Sequence, residues 1–247
     1  MIPALVLAAG LGTRIRPVAG ALPKPLIPFG GPPILVHNLR WLAASGVRTV
    51  WINLHYQAAS ITAAIGNGAA LGLDIAYLFE PDLLGTAGAF GNLGDRASGT
   101  ALVVYGDNLL RFDLAALLAR HRATGAAATI ALFDRARHTH TGIAGGRVDI
   151  DTDGRVLGFI EGGAPPPPGA PDLVNAGVYA VEPEVRRLIP PGRAVDFGRE
   201  VFPAMLHRGD ELFGHVIESG GYCLGLDTPE SHRAGTALLE AGAIALA

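Results

Sequence analysis

"PALVLAAGLGTRIRP", Pro3 to Pro17, decides how the rest of the chain is read. Pro3 to Gly10 is a short apolar run ending on glycine, the pattern of a buried strand that feeds a turn. Gly10 and Gly12 let the backbone pass close to a ligand and aim amides at it, which is how phosphates are cradled, and Arg14 would point into that cradle. Two glycines after a strand are equally the mark of a plain tight turn. The dinucleotide fingerprint needs a third glycine where Ile15 stands, and no Gly-Lys-Ser/Thr follows to complete a Walker loop.

Outward from this stretch the chain alternates. "VRTVWIN", "LDIAYLF", "TALVVYGD" and "AAATIALF" read as strands. "ILVHNLRWLAASG", "AASITAAIGNG", "TAGAFGNL" and "DLAALLARHRATG" read as helices, the last opened by Asp113 and closed by Gly125. The alternation predicts an α/β fold with a mostly parallel sheet, helices on both faces, and ligands beyond the C-terminal strand ends. The second half changes character. "GRVDIDTDGRVLGFIEGG" reads as a hairpin with an Asp-Thr-Asp-Gly turn, and "APPPPGAP" as a stiff surface loop. "LVNAGVYAVE", "LFGHVIE" and "GYCLGLD" read as strands. "FGREVFPAMLHRG" reads as a helix that Pro203 can bend, and a C-terminal helix follows Thr228 and Pro229. No linker divides the chain.

Composition bounds the function. The 247 residues are ample for a real core, and 49% hydrophobic content with 34 glycines suits close helix–sheet packing. A net charge of −3 gives no basic surface for nucleic acid or an anionic membrane. Cys223, the one cysteine, permits neither an internal disulfide nor a Cys-based zinc site, and its setting in an apolar strand reads as packing. That usage suits a reducing, cytoplasmic setting. Thr49 to Leu73 carries no formal charge, yet its three glycines and polar residues exclude a membrane helix, and no targeting segment is read.

Among candidate residues Lys24 stands out: it is the only lysine, and it lies between Pro23 and Pro25. Asp107 ends an apolar strand after a glycine, at the mouth where α/β folds bind ligands. A strand-end aspartate is often only a cap or turn former, but Asn108 and Asp113 are at hand for those roles. His138 and His140 alternate on an extended segment and read as a solvated loop; His121 and His207 lie near helix ends and can meet terminal carbonyls.

Taken together, "LAAGLGTR" and "PKPLIP" resemble the N-terminal signature of the sugar-1-phosphate nucleotidyltransferases. "EPDLLGTAGAF", "VVYGDN", "NAGVYAVEPEV" and "VDFGREVFPAML" extend the resemblance over nearly the whole chain. It implies a three-layer Rossmann-like nucleotidyltransferase fold with a mixed, mostly parallel central sheet. The chain is then a single catalytic domain, with residues 1–135 as its nucleotide-binding half, 136–247 as its sugar-phosphate half, and no C-terminal β-helix. It implies Mg2+ as cofactor, and a nucleoside triphosphate and a sugar 1-phosphate as partners. Homo-oligomer formation is left open.

The same resemblance assigns roles. Leu7, Ala9 and Gly10 border the base, and Glu80, Gly85 and Thr86 complete that side. The amides of Leu11, Gly12 and Thr13, with Arg14, hold the pyrophosphate portion. Lys24 contacts the α-phosphate. Asn108, Gly146, Glu161 and Asn175 face the sugar phosphate. Asp107 is the first metal ligand. The second departs from the pattern: the usual aspartate position is Gly225, and "GLDTPE" resembles the closing motif of related cytidylyltransferases, which points to Asp227. A cap for the following helix is the plainer reading of that residue. A further departure is Gly162, where many relatives place a lysine for the sugar phosphate; Arg193 or Arg199 are candidates to replace it.

Overall fold

The computed structural model describes residues 2–142, 146–160, 166–167 and 169–246. The strands are β1 (Ala4–Leu7), β2 (Thr49–Leu54), β3 (Asp74–Phe79), β4 (Ala101–Tyr105), β5 (Asn108–Arg111), β6 (Ala128–Asp134), β7 (Arg147–Ile150), β8 (Val156–Ile160), β9 (Leu173–Val181), β10 (Leu212–Val216) and β11 (Tyr222–Gly225). The helices are α1 (Arg16–Ala19), α2 (Ile34–Ala44), α3 (Ala58–Ile65), α4 (Gly85–Asn92), α5 (Leu114–Thr124), α6 (Phe202–Arg208) and α7 (Pro229–Glu240).

The main sheet has the spatial order β10-β6-β9-β4-β1-β2-β3. β1 runs parallel to β2 and β4, β2 to β3, and β6 to β10. β9 lies antiparallel between β4 and β6, which makes the sheet mixed. The β7–β8 hairpin hangs from the edge of β9. Strands from before and after residue 135 therefore share one sheet.

In the central strands β1, β2, β4, β6 and β9 side chains alternate between two faces, and both faces are mostly apolar because both are covered. The edge strand β3 leaves Asp74, Ala76 and Phe79 exposed. Ala4 and Val6 of β1 join one core with Leu35, Leu39 and Trp41 of α2, Ile61 of α3 and Leu117 of α5. Leu5 points the other way, to a core built with Phe90 of α4 and Phe202 and Met205 of α6. A full leucine burial of this kind stabilises by roughly 1.5–3 kcal/mol. A third, smaller core gathers Ile15, Ile27, Phe29, Ile34, Leu109, Tyr222, Leu224 and Ile244. It lies against a separate two-stranded sheet of β5 and β11, and it anchors the chain on both sides of Lys24.

The structure corrects four local expectations. Asn108 is no turn former; it opens β5. The helix over 197–209 is divided into a π turn, Phe197–Val201, and α6. Pro203 follows the π turn in one continuous helical run, and without an N–H it cannot donate back to that turn. His138 is buried: the Asp134 N–H donates to its Nδ1 (2.8 Å) and its Nε2 donates to the Ile217 carbonyl (3.1 Å). His121 is also buried and bonds Thr129 and Glu182, at 2.9 Å each, rather than its own helix end. Asp113 does cap α5, accepting from Ala115 and Ala116. The proline run at 164–171 lies partly outside the described residues.

Candidate active site

The glycine loop leaves β1 at the C-terminal edge of the sheet. Ala8 N–H is held by Asn53 Oδ1 at 2.8 Å. The next amides, from Gly10 to Thr13, have no protein acceptor among the described residues, and the space beside Gly10 is open. These are free donors on an accessible loop, as an anion cradle requires. Gly12 takes φ +57, and a Cβ there would lie 3.0 Å from the Cβ of Lys24, so the loop rests directly on the lysine turn. Lys24 starts that turn, with Leu26 and Ile27 N–H bonded back to the Pro23 and Lys24 carbonyls.

Lys24 is only 4% exposed, and its Nζ donates to Asp107 Oδ2 (2.9 Å) and Asp227 Oδ1 (2.5 Å). Burial alone would lower its pKa. The charges of Asp107 and Asp227, with their hydrogen bonds, outweigh that and hold the ammonium above its usual value. Arg14 is exposed and approaches the same Asp227 oxygen at 3.6 Å. Asp227 does not cap α7: Thr228 accepts from Ser231 N–H in a capping box, which leaves the aspartate carboxylate to the cleft.

Two clefts flank this triad, Asp107 lining one and Asp227 the other. The first, about 290 Å³, is lined by Leu7, Ala9, Gly10, Glu80, Gly85, Thr86 and Asp107, all expected, and by Asn53, Leu83 and Tyr105, which sequence reasoning missed. The second, about 380 Å³, is lined by Arg14, Asp227 and the opening turn of α7.

Gly85 has φ +72, and a Cβ there would meet the Val195 carbonyl oxygen at 2.6 Å. The loop before α4 is tied to residues 195–197 by Val195 N–H to Leu84 O (2.8 Å), Ala87 N–H to Val195 O (2.9 Å) and Thr86 Oγ1 to Asp196 Oδ2 (2.9 Å). Tyr105 forms a wall of the first cleft. Burial pushes its pKa up to about 12, so it stays a neutral donor or acceptor near neutral pH.

Glu80, though it lines the first cleft, has both carboxylate oxygens bonded within the protein, and the remaining expected residues are bonded to protein groups or lie apart. Glu80 is 1% exposed, with Oε1 accepting from Asn53 Nδ2 (2.9 Å) and Oε2 from Leu84 N–H (3.1 Å). Asn175 donates to the Tyr179 hydroxyl (2.8 Å) and accepts from Gly177 N–H (2.8 Å), and Tyr179 donates on to Tyr105. Asn108 is buried, and its carbonyl accepts from Asn38 Nδ2. Gly146 immediately precedes β7. Glu161 and Gly162 lie outside the described residues. Arg193 is exposed and 3.8 Å from Glu200. Cys223 is buried, its thiol pushed strongly upward in pKa by burial, which fits packing.

A nucleotidyl transferase family model matches residues 3–220. The chain belongs to the nucleotidyl transferase family. It is 40% identical over 243 residues to a mannose-1-phosphate guanylyltransferase of Mycobacterium tuberculosis, covering 98% of this chain and 65% of that protein. It is 32% identical over 218 residues to a UTP–glucose-1-phosphate uridylyltransferase of Synechocystis, covering 83% of this chain and 55% of the relative. The chain thus spans less than two thirds of the length of either. The crystal structure of HddC from Yersinia pseudotuberculosis shares the fold, with a TM-score of 0.77 at 24% identity over 97% of this chain and all of that one.

The donor set suits a hard divalent cation in a family that handles phosphates. Two carboxylates far apart in sequence, flanking the same end of the paired strands β5 and β11, reach one point, both bonding the same nitrogen. Mg2+ commonly takes one or two protein carboxylates and completes its shell with water and phosphate oxygens. Among the described residues no helix is long and apolar enough to cross a membrane.

Proposed function

We propose that this nucleotidyl transferase couples a nucleoside triphosphate to a sugar 1-phosphate and releases pyrophosphate. The observation that carries the reading is the buried Lys24 ammonium bracketed by Asp107, which lines one cleft, and Asp227, which lines the other. A phosphate oxygen of the sugar 1-phosphate attacks the α-phosphorus. The bond from that phosphorus to the bridging oxygen breaks, and pyrophosphate leaves with the electron pair. The attacking phosphate is already anionic, so no protein nucleophile or strong base is required. The protein must offset repulsion between anions and stabilise the charge that develops on the leaving group.

The residues divide that task. Lys24 supplies a compact positive charge for the α-phosphate, which a broad guanidinium would not reproduce. Arg14 and the free amides of Gly10 to Thr13 hold the pyrophosphate portion. Leu7, Ala9 and Gly85 border the base. Asp107 and Asp227 would hold Mg2+, which when bound neutralises phosphate charge and orients the reacting oxygens. A guanylyl donor ranks first and a thymidylyl or uridylyl donor second. This order is supported by the 40% relative, named a mannose-1-phosphate guanylyltransferase, and by the further guanylyl- and uridylyltransferase names among the relatives. The acceptor is then a mannose- or heptose-type sugar 1-phosphate.

The test is pyrophosphate release across GTP, UTP, dTTP, CTP and ATP, each against several sugar 1-phosphates. GTP is expected to give the highest kcat/KM. Nucleotide-sugar binding with no release under any combination would instead make the chain a non-catalytic binding protein.

A further inference from the structure

Asn53 ends the apolar run of β2 and is 3% exposed. It lies on the first cleft, and its amide is hydrogen-bonded at both ends. Oδ1 accepts from Ala8 N–H at 2.8 Å, and Nδ2 donates to Glu80 Oε1 at 2.9 Å. The other Glu80 oxygen accepts from Leu84 N–H at 3.1 Å. The backbone donor at one end and the carboxylate at the other fix which way the amide faces. The result is a two-residue strut: Ala8, the root of the glycine loop, is tied through Asn53 and Glu80 to Leu84, next to Gly85 on the opposite lip. His55, two residues on, donates from Nδ1 to the backbone carbonyl of Glu80 at 2.8 Å, a further tie between the end of β2 and the Glu80 backbone.

We propose that Asn53 is a positioning residue that sets the distance between the phosphate-side loop and the base-side loop. This rests on the nucleotidyl transfer reading above. A ligand that touches both lips, a whole nucleoside triphosphate, depends on that distance. A ligand that touches only the glycine loop, inorganic pyrophosphate, does not. The strut can also be rebuilt with its polarity reversed. In the double variant Asn53→Asp/Glu80→Gln, the aspartate accepts from Ala8 N–H and from the new amide, and the glutamine oxygen accepts from Leu84 N–H. Every donor keeps an acceptor. In Asn53→Asp alone two buried carboxylates face each other. In Glu80→Gln alone the glutamine amide faces either Asn53 Nδ2 or Leu84 N–H as donor against donor.

The experiment is calorimetric titration with Mg2+ present, using GTP and inorganic pyrophosphate as separate probes, with melting temperature recorded for each variant. Asn53→Asp and Glu80→Gln are each expected to weaken GTP binding on the order of tenfold while pyrophosphate binding changes less than about twofold. The double variant is expected to recover GTP binding to within about threefold of wild type. If Asn53→Asp does not fold, Glu80→Gln and the double variant carry the same comparison. Equal loss for both probes, no loss, or no recovery in the double variant overturns the proposal. If the wild-type protein binds none of GTP, UTP, dTTP and CTP, the nucleotidyl transfer reading fails, and the strut's role fails with it.

Discussion

The ammonium of Lys24 neutralises two carboxylates, and the proposed reaction gives it a second, separable task at the α-phosphate. Lys24→Met keeps most of the buried stem and removes the charge. Turnover is expected to fall by a factor on the order of 10²–10³, as for loss of one preorganised charge-stabilising group. The affinity for Mg2+ alone is expected to rise, because a positive charge has left the neighbourhood of Asp107 and Asp227. Steady-state kinetics and a metal titration read the two effects independently, and an unchanged or weaker Mg2+ affinity would contradict the shared-carboxylate geometry. Asp227→Asn is expected to move the metal titration the other way, to weaker binding. Thr228→Ala is the control beside it. It removes the α7 cap, costs about 1 kcal/mol in a urea melt, and leaves Mg2+ binding where it was. A metal effect from the threonine and none from the aspartate would reverse the assignment of these two neighbours.

Among the elements, the loop entering α4 is the one whose geometry leaves least freedom. Gly85→Ala forces a left-handed residue, at about 1–2 kcal/mol, and drives a methyl against the Val195 carbonyl. A loss of more than about 2 kcal/mol in denaturant melts is expected, together with a raised KM for the nucleotide. Melts and KM like those of wild type would mean that the α4 entry can relax away from residues 193–197. The central strands β1, β2, β4 and β6 were legible because they are buried on both faces and read as continuous apolar runs. The place of β9 was not: an antiparallel strand covered on both faces has the same composition as its parallel neighbours. β5 was missed because four residues after a Gly-Asp turn give no periodicity, and its partner β11 lies more than a hundred residues on. Lys24, Asp107 and Asp227 were legible through local motifs. Asn53, Tyr105 and Asp196 were not, since each acts through partners far away in the chain. The polar alternation of Asn53, His55 and Gln57 after an apolar strand was the one signal that could have exposed the strut.

At the scale of the whole molecule, pH acts through β10 at the edge of the sheet. Burial lowers the pKa of His215, with Glu218 opposing and Arg120 assisting, and its Nε2 is buried without a hydrogen-bond partner. The neutral ring is therefore the form the fold favours. Its contribution is present above the unfolded value of about 6.5 and is lost as pH falls through the lowered folded value. Melting temperature is expected to fall between about pH 7 and pH 5. His215→Gln is expected to lose less stability over that window, and parallel curves for the two proteins would assign the acid sensitivity elsewhere. The close seat of Gly12 on Lys24 has its own consequence. With no room between them, movement of one backbone segment displaces the other, so a triphosphate drawing the glycine loop inward also stiffens a turn it need not touch. Hydrogen–deuterium exchange at the Leu26 and Ile27 amides would slow on nucleotide addition, and the protection would report through-chain tightening rather than shielding by the ligand.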